Sequence, residues 1–106
     1  MPKYLLKVNY VGEGVKGFMS EGGTKRRQEA EAVARSAGGR LEAYYFAFGD
    51  VDCYAIGDMP DAASAAAMVL KLNASGRVKV TTTVLMTPEE VDEAVTKNIA
   101  YRPPGG

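Results

Sequence analysis

The chain has 106 residues, of which 46% are hydrophobic and 25% are charged, a composition typical of one soluble globular domain. Thirteen basic and thirteen acidic side chains cancel, so no net charge favours nucleic acid or an anionic membrane. The chain has no histidine and a single cysteine, Cys53, which excludes an internal disulfide, a His-containing catalytic triad and a His/Cys zinc site. No stretch has the length of a membrane span or the pattern of a signal peptide. We therefore expect a cytoplasmic protein with no metal, cofactor, nucleic-acid partner or membrane partner.

The first elements predicted along the chain are a strand and an interrupted helix. Lys3 to Tyr10 alternates between apolar and polar side chains, as a half-buried strand does. Val15 to Ala37 has helical spacing, but the pair Gly22-Gly23 interrupts it. We expect Thr24 to cap a new helix that runs to Gly38-Gly39.

A hairpin follows. Residues 41–48 and 51–59 are rich in aromatic and β-branched side chains, and Gly49-Asp50 lies between them as a turn. In the first of these strands, the alternation places Leu41, Ala43 and Tyr45 on one face. Both faces of the hairpin are mostly apolar, which is unusual for a sheet with one face in water.

The second half predicts a helix, a strand and a final helix. Residues 62–74 are rich in alanine and form the expected second helix, and residues 78–86 form a strand crowded with Val and Thr. Thr87, Pro88 and Glu90 have the pattern of a capping box with proline at the first helical position.

The resulting order, β-α-β-β-α-β with an added C-terminal helix, predicts an α+β fold of the ferredoxin-like type. Its antiparallel sheet has the spatial order 4-1-3-2, and both main helices lie on one face. We expect a single domain over residues 1–100, followed by a loose Pro/Gly tail over residues 101–106.

Two helices cover only one face of such a sheet, so the other face requires a partner. We expect a second copy of the chain to pack on it, giving a homodimer or a higher even oligomer. Polar side chains of the two neighbouring strands then line a chamber on the covered face, together with a hairpin aromatic. The expected ligand-binding residues in this chamber are Lys7, Asn9, Tyr54, Thr81 and Thr83.

Two charged residues are further ligand-binding candidates. Arg26 lies on the same helical stripe as apolar residues, so its guanidinium leans towards the core and requires an anionic or carbonyl partner. Asp52 lies two residues into a strand, where aspartate is disfavoured. Either Asp52 forms a buried ion pair with Arg26 or Arg77, or it contacts a ligand or acts as a base.

Four segments carry a resemblance to a known family, namely EGGTKRR (21–27), GGRLEAYYFAFGDVD (38–52), MPD (59–61) and SGRVKVTTTVLMTPEEVDEA (75–94). Over about residues 3–98 the chain resembles the GYD-domain family of small bacterial proteins. Gly49 and Asp52 fit the signature for which the family is named, and Val51 stands where its tyrosine is expected. The resemblance implies a dimeric α+β barrel and implies no particular reaction.

The function expected from these observations is the binding of a small organic or anionic ligand by a cytoplasmic homo-oligomer. Two alternatives remain open at this point. One is a cofactor-independent isomerase or monooxygenase-like enzyme that uses Asp52, Lys7 or a tyrosine for proton transfer. The other is a protein-interaction module whose sheet face is filled by its partner.

Overall fold

The computed structural model describes all 106 residues and contains a four-stranded antiparallel sheet and three helices. The strands have the spatial order β2-β3-β1-β4, as predicted, and the arrangement is compatible with a ferredoxin-like plait. No helix has both the length and the apolar composition needed to cross a membrane. The elements are β1 (Lys3–Tyr10), α1 (Glu13–Ser36), β2 (Arg40–Phe46), β3 (Cys53–Asp58), α2 (Ala62–Ala74), β4 (Val78–Leu85) and α3 (Pro88–Thr96).

The predicted interruption of the first helix is a kink within α1. Gly22 has φ 81° and ψ 172°, a conformation that glycine adopts without strain. The expectation that Thr24 caps a new helix is wrong, because the break lies two residues earlier. The adjacent Gly23 has a packing role: a Cβ there would lie 2.9 Å from the Phe46 ring, so glycine lets α1 approach the sheet closely.

The two strands of the hairpin are shorter than predicted, and the loop between them is longer. Residues 47–52 join β2 to β3, and the loop is closed by the Ala47 N–H, which donates to the Asp52 carbonyl at 2.9 Å. A register shift between Leu41 and Ala43 bulges β2 at Glu42. The predicted alternation along β2 is therefore wrong at its start, because the bulge places Leu41 on the opposite face from Ala43.

The core lies between one face of the sheet and the helices. Cross-strand neighbours on this face come from the central strands β1 and β3 and the edge strand β4, and α1 and α2 pack over the sheet. The buried cluster consists of Tyr4, Leu6, Ala55, Met59, Ala65, Met68 and Val80.

The C-terminal helix begins as predicted. The Glu90 N–H donates to Thr87 Oγ1 at 3.1 Å and the Thr87 N–H donates to Glu90 Oε1 at 2.9 Å, which completes the capping box before Pro88. None of the residues of α3 is buried. The helix is therefore well defined at its start but lies outside the core.

Candidate functional site

The structure places the predicted site residues on two sides of the sheet. Lys7 lies opposite Tyr54 on β3 and Thr81 on β4, and cross-strand neighbours share a face. Asn9 and Thr83 lie on this same face, as predicted. Arg26 projects from α1 on the other side. The structure therefore brings together five of the predicted residues and separates Arg26 from them.

The face that carries Lys7 is turned away from both main helices, and we call it the open face. Its apolar side chains include Leu5 at the centre, with Ile56 beside it on β3 and Ala43 next on β2. Tyr45 extends the apolar area to the edge strand and is 72% exposed. Lys7 forms no ion pair. The open face thus combines apolar area with an unneutralised cation.

Asp52 is held at the end of the sheet by backbone groups. Its Oδ2 accepts a hydrogen bond from the Tyr10 N–H at 2.9 Å, which satisfies a donor at the end of β1. Its own N–H is directed towards Asn9 Oδ1 at 3.0 Å and the Val8 carbonyl at 3.1 Å. Asp52 forms no ion pair with Arg26 or Arg77, so the predicted pairing is not formed, and the carboxylate has a structural partner instead.

Arg26 has an incomplete set of partners. Its Nη1 lies 3.6 Å from Glu21 Oε1, which is a loose ion pair across the Gly22 kink. Its Nε is buried and has no hydrogen-bond partner. Since a buried N–H of a cation is costly to leave unsatisfied, this atom marks a position where an acceptor is missing.

The Arg26 side chain borders a cavity between α1 and the sheet. The cavity has a volume of about 80 Å³, and sixteen of its nineteen lining residues are hydrophobic, including Val33 and Leu72. A wider cleft of about 430 Å³ adjoins it between α1 and α2 and shares five lining residues with it, Tyr10, Arg26, Val33, Leu72 and Val78. We call the cavity and the cleft together the Arg26 pocket.

Stacked aromatic rings form one wall of this pocket. Phe18 from α1 stacks on Tyr10 with ring centroids 4.6 Å apart and on Phe46 with centroids 4.9 Å apart. Tyr44 meets Phe46 edge to face at 5.3 Å. The first segment of α1 is thus anchored to the sheet through Phe18.

Two titratable groups near Arg26, the Tyr44 phenol and the Cys53 thiol, have raised pKa values. Burial raises the pKa of the Tyr44 phenol, and Tyr10 and Cys53 beside it raise it further. Burial likewise raises the pKa of the Cys53 thiol, which is fully buried and therefore inert. Burial alone would lower the pKa of Arg26, but the neighbouring Tyr10, Glu21 and Tyr44 outweigh the effect of burial and raise the pKa. The pocket lining holds three cations, Arg26, Lys71 and Arg77, against the two carboxylates of Glu21 and Glu29, a charge balance that favours an anion.

Sequence reasoning missed Tyr10 and Tyr44 as pocket residues. Tyr10 ends the apolar alternation of β1, and the sequence places it at the same end of the sheet as Asp52 without indicating a ligand contact. Tyr44 lies on the face of the sheet that packs against the helices because of the bulge at Glu42, and no local sequence pattern predicts that bulge. Neither tyrosine has a distinctive motif, so only their placement around Arg26 identifies them.

A family model described as the GYD domain matches residues 4–95 of the 106-residue chain. The chain belongs to the GYD domain family. The matched range of this GYD domain runs from β1 almost to the end of α3 and includes every candidate residue discussed above. No curated protein matches the chain at a significant level.

Proposed function

We propose that this GYD domain binds a small organic anion in the Arg26 pocket. The observation that carries the proposal is the buried Arg26 Nε without a hydrogen-bond partner, at the border of a mostly apolar cavity that Glu29 also lines. An apolar cavity with a few convergent polar groups is the usual form of a small-molecule site. A carboxylate would accept from Nε and Nη of the guanidinium, because this planar group matches carboxylate geometry.

The size of the cavity limits the apolar part of the ligand. Cavities of about 150 Å³ accommodate benzene, so the 80 Å³ next to Arg26 suits a shorter or thinner group such as a small alkyl chain. The larger cleft between α1 and α2 leaves room for the polar end of the ligand. The proposed ligand class is therefore a short-chain carboxylate or a similar amphipathic anion.

The open face supports a second part of the proposal, that the protein is a cytoplasmic homodimer. A second copy packed on this face would cover Leu5, Ile56 and Tyr45 and enclose Lys7. The polar residues around Lys7 would then line the chamber expected from the sequence. A buried, unpaired thiol at Cys53 suits a reducing compartment.

The proton-transfer alternative receives less support from the geometry. Of its candidate groups Asp52, Lys7 and a tyrosine, Asp52 has its Oδ2 engaged by the Tyr10 N–H, and Lys7 lies on the opposite side of the sheet from the Arg26 pocket. Asp52 also does not line the Arg26 pocket. Binding without turnover therefore agrees best with the arrangement.

Calorimetric titration with hexanoate tests the proposal, with hexan-1-ol as the neutral probe. We expect hexanoate to bind better than hexan-1-ol, and Arg26→Gln to weaken hexanoate by about tenfold, the usual effect of losing a charged hydrogen bond. Arg27→Gln is the matched control, since Arg27 is its exposed neighbour and should leave affinity unchanged. Equal hexanoate affinity in the wild type and Arg26→Gln, or no binding across carboxylates from butyrate to decanoate, would overturn the proposal.

A further inference from the structure

Residues 86–101, which we call the arm, present an apolar stripe that the rest of the chain does not cover. No residue of α3 is buried, and Val95 and Ile99 are each 77% exposed. Val91 and Tyr101 extend the same exposed apolar series. A nine-residue helix is marginal in water without tertiary packing. The arm therefore requires a surface on which its apolar side can pack.

The shape of the molecule shows that this surface is not in the same chain. The radius of gyration is 16.9 Å, against about 13 Å for a compact domain of this length, and the longest dimension is 56 Å. Only Met86 and Thr87 separate β4 from α3. Pro88 and the capping box define where α3 begins, and none of its residues is buried against the core.

The charge of the arm indicates the kind of surface that it fits. The arm has four acidic side chains and one basic side chain, whereas residues 1–85 have nine acidic and eleven basic ones. Glu89 and Asp92 in the arm form no ion pair, and neither do Lys7 and Lys79 on the open face. Unpaired acids on the arm thus complement unpaired bases on the body of the same protein.

We infer that the arm packs on a second copy of this chain, where Glu89 and Asp92 face Lys7 and Lys79 of that copy. In a two-fold dimer each copy gives one arm and receives one, so both exposed surfaces are covered by the same contact. The arm follows β4, the edge strand that carries Lys79, so it begins at the margin of the sheet. The inference rests on the second copy and the open face of the proposed function, including Lys7, and does not involve the Arg26 pocket.

Charge exchange between two variants tests the inference by sedimentation velocity. The body variant carries Lys7→Glu and Lys79→Glu, and the arm variant carries Glu89→Lys and Asp92→Lys. Each variant alone places like charges at both contacts, so we expect its dimer to be weaker than the wild-type dimer by about tenfold or more. An equimolar mixture restores opposite charges at both contacts, so we expect a heterodimer of nearly wild-type affinity. Recovery on mixing also shows that both variants are folded.

Three results would overturn the inference. The first is a monomeric wild-type protein, which would mean that the arm serves a different partner. The second is wild-type dimer affinity in both variants, which would mean that the dimer forms without the arm contact. The third is two weakened variants that do not recover on mixing. Lys16→Glu and Asp50→Lys, which reverse exposed charges elsewhere, are the matched controls and should dimerise normally.

Discussion

Asp52 illustrates how a single residue that looks catalytic in a sequence can have a structural explanation. The carboxylate replaces a missing strand neighbour for the Tyr10 N–H, and the backbone of Asp52 is held in turn by Asn9 and Val8. These contacts join the end of β1 to the start of β3. Aspartate is disfavoured within strands, but here it lies just before the first residue of β3, where the ladder is incomplete.

Asp52→Ala should therefore destabilise the fold. The substitution leaves the Tyr10 N–H without its acceptor, which costs about 1–2 kcal/mol and lowers the melting temperature by several degrees. Thermal unfolding followed by circular dichroism measures the change. Asp50→Ala is the control, because Asp50 is exposed in the same loop, and it should change stability by less than about 0.5 kcal/mol. Equal stability of the two variants would contradict the structural role of Asp52.

The direction of Arg26 was predictable from the sequence, but its surroundings were not. Helical spacing alone shows that Arg26 shares a stripe with Ala30 and Val33, and the structure confirms that it borders the core cavity. Its contacts depend on Tyr10 and Tyr44, which lie far from it along the chain. Local periodicity reports which way a side chain leans, whereas the partner depends on how the elements pack.

At the scale of elements, the prediction succeeded where local chemistry decides the conformation. The capping box at Thr87, the helix break at Gly22-Gly23 and the strand order follow from residue types and spacing, and the structure shows all three. It failed at the bulge at Glu42, which moves Leu41 and Ala43 to opposite faces. A bulge is set by the pairing of two strands, so a single strand's pattern does not reveal it.

A charged cluster that the sequence did not indicate ties three strands together. Asp58 on β3 is only 5% exposed, and its carboxylate lies 2.8 Å from Lys3 Nζ on β1 and 3.1 Å from Arg40 Nη2 on β2. The hydrogen bond from Lys3 is the main reason that the pKa of Asp58 is lowered, with Arg40 adding to it against the opposing effect of burial. Lys3 also contacts Glu42 at the bulge, at 2.9 Å.

The lowered pKa of Asp58 predicts a specific loss of stability in acid. The unfolded chain takes up a proton at a higher pH than the folded one, so the contribution of Asp58 is complete above about pH 4 and is lost as the pH falls through the folded-state pKa. The melting temperatures of the wild type and Asp58→Asn should differ at pH 7 and converge below about pH 4. A difference that stays constant down to pH 2.5 would contradict this, and Asp50→Asn should track the wild type throughout.

At the scale of the whole molecule, the chain has more surface to cover than it can cover itself. Only 13 of its 106 residues are buried, and the open face and the arm both expose apolar side chains. The absence of a helix over the open face follows from counting helices against sheet faces, so the exposure of this face was predictable. The projection of the arm was not, because the apolar stripe of α3 is equally compatible with packing on its own chain.

The open face provides the last prediction, which separates assembly from ligand binding. Ile56 lies between Leu5 and Ala43 near the centre of this face. Ile56→Glu should therefore place a charge in the proposed contact between two copies. We expect this variant to sediment as a monomer. Hexanoate affinity should stay unchanged, because the Arg26 pocket lies on the other side of the sheet.

Leu70→Glu is the matched control, since Leu70 is an exposed apolar residue on α2, and it should leave the dimer intact. A dimer that survives Ile56→Glu would place the contact between copies on another surface, whereas a monomer that no longer binds hexanoate would show that the pocket depends on assembly.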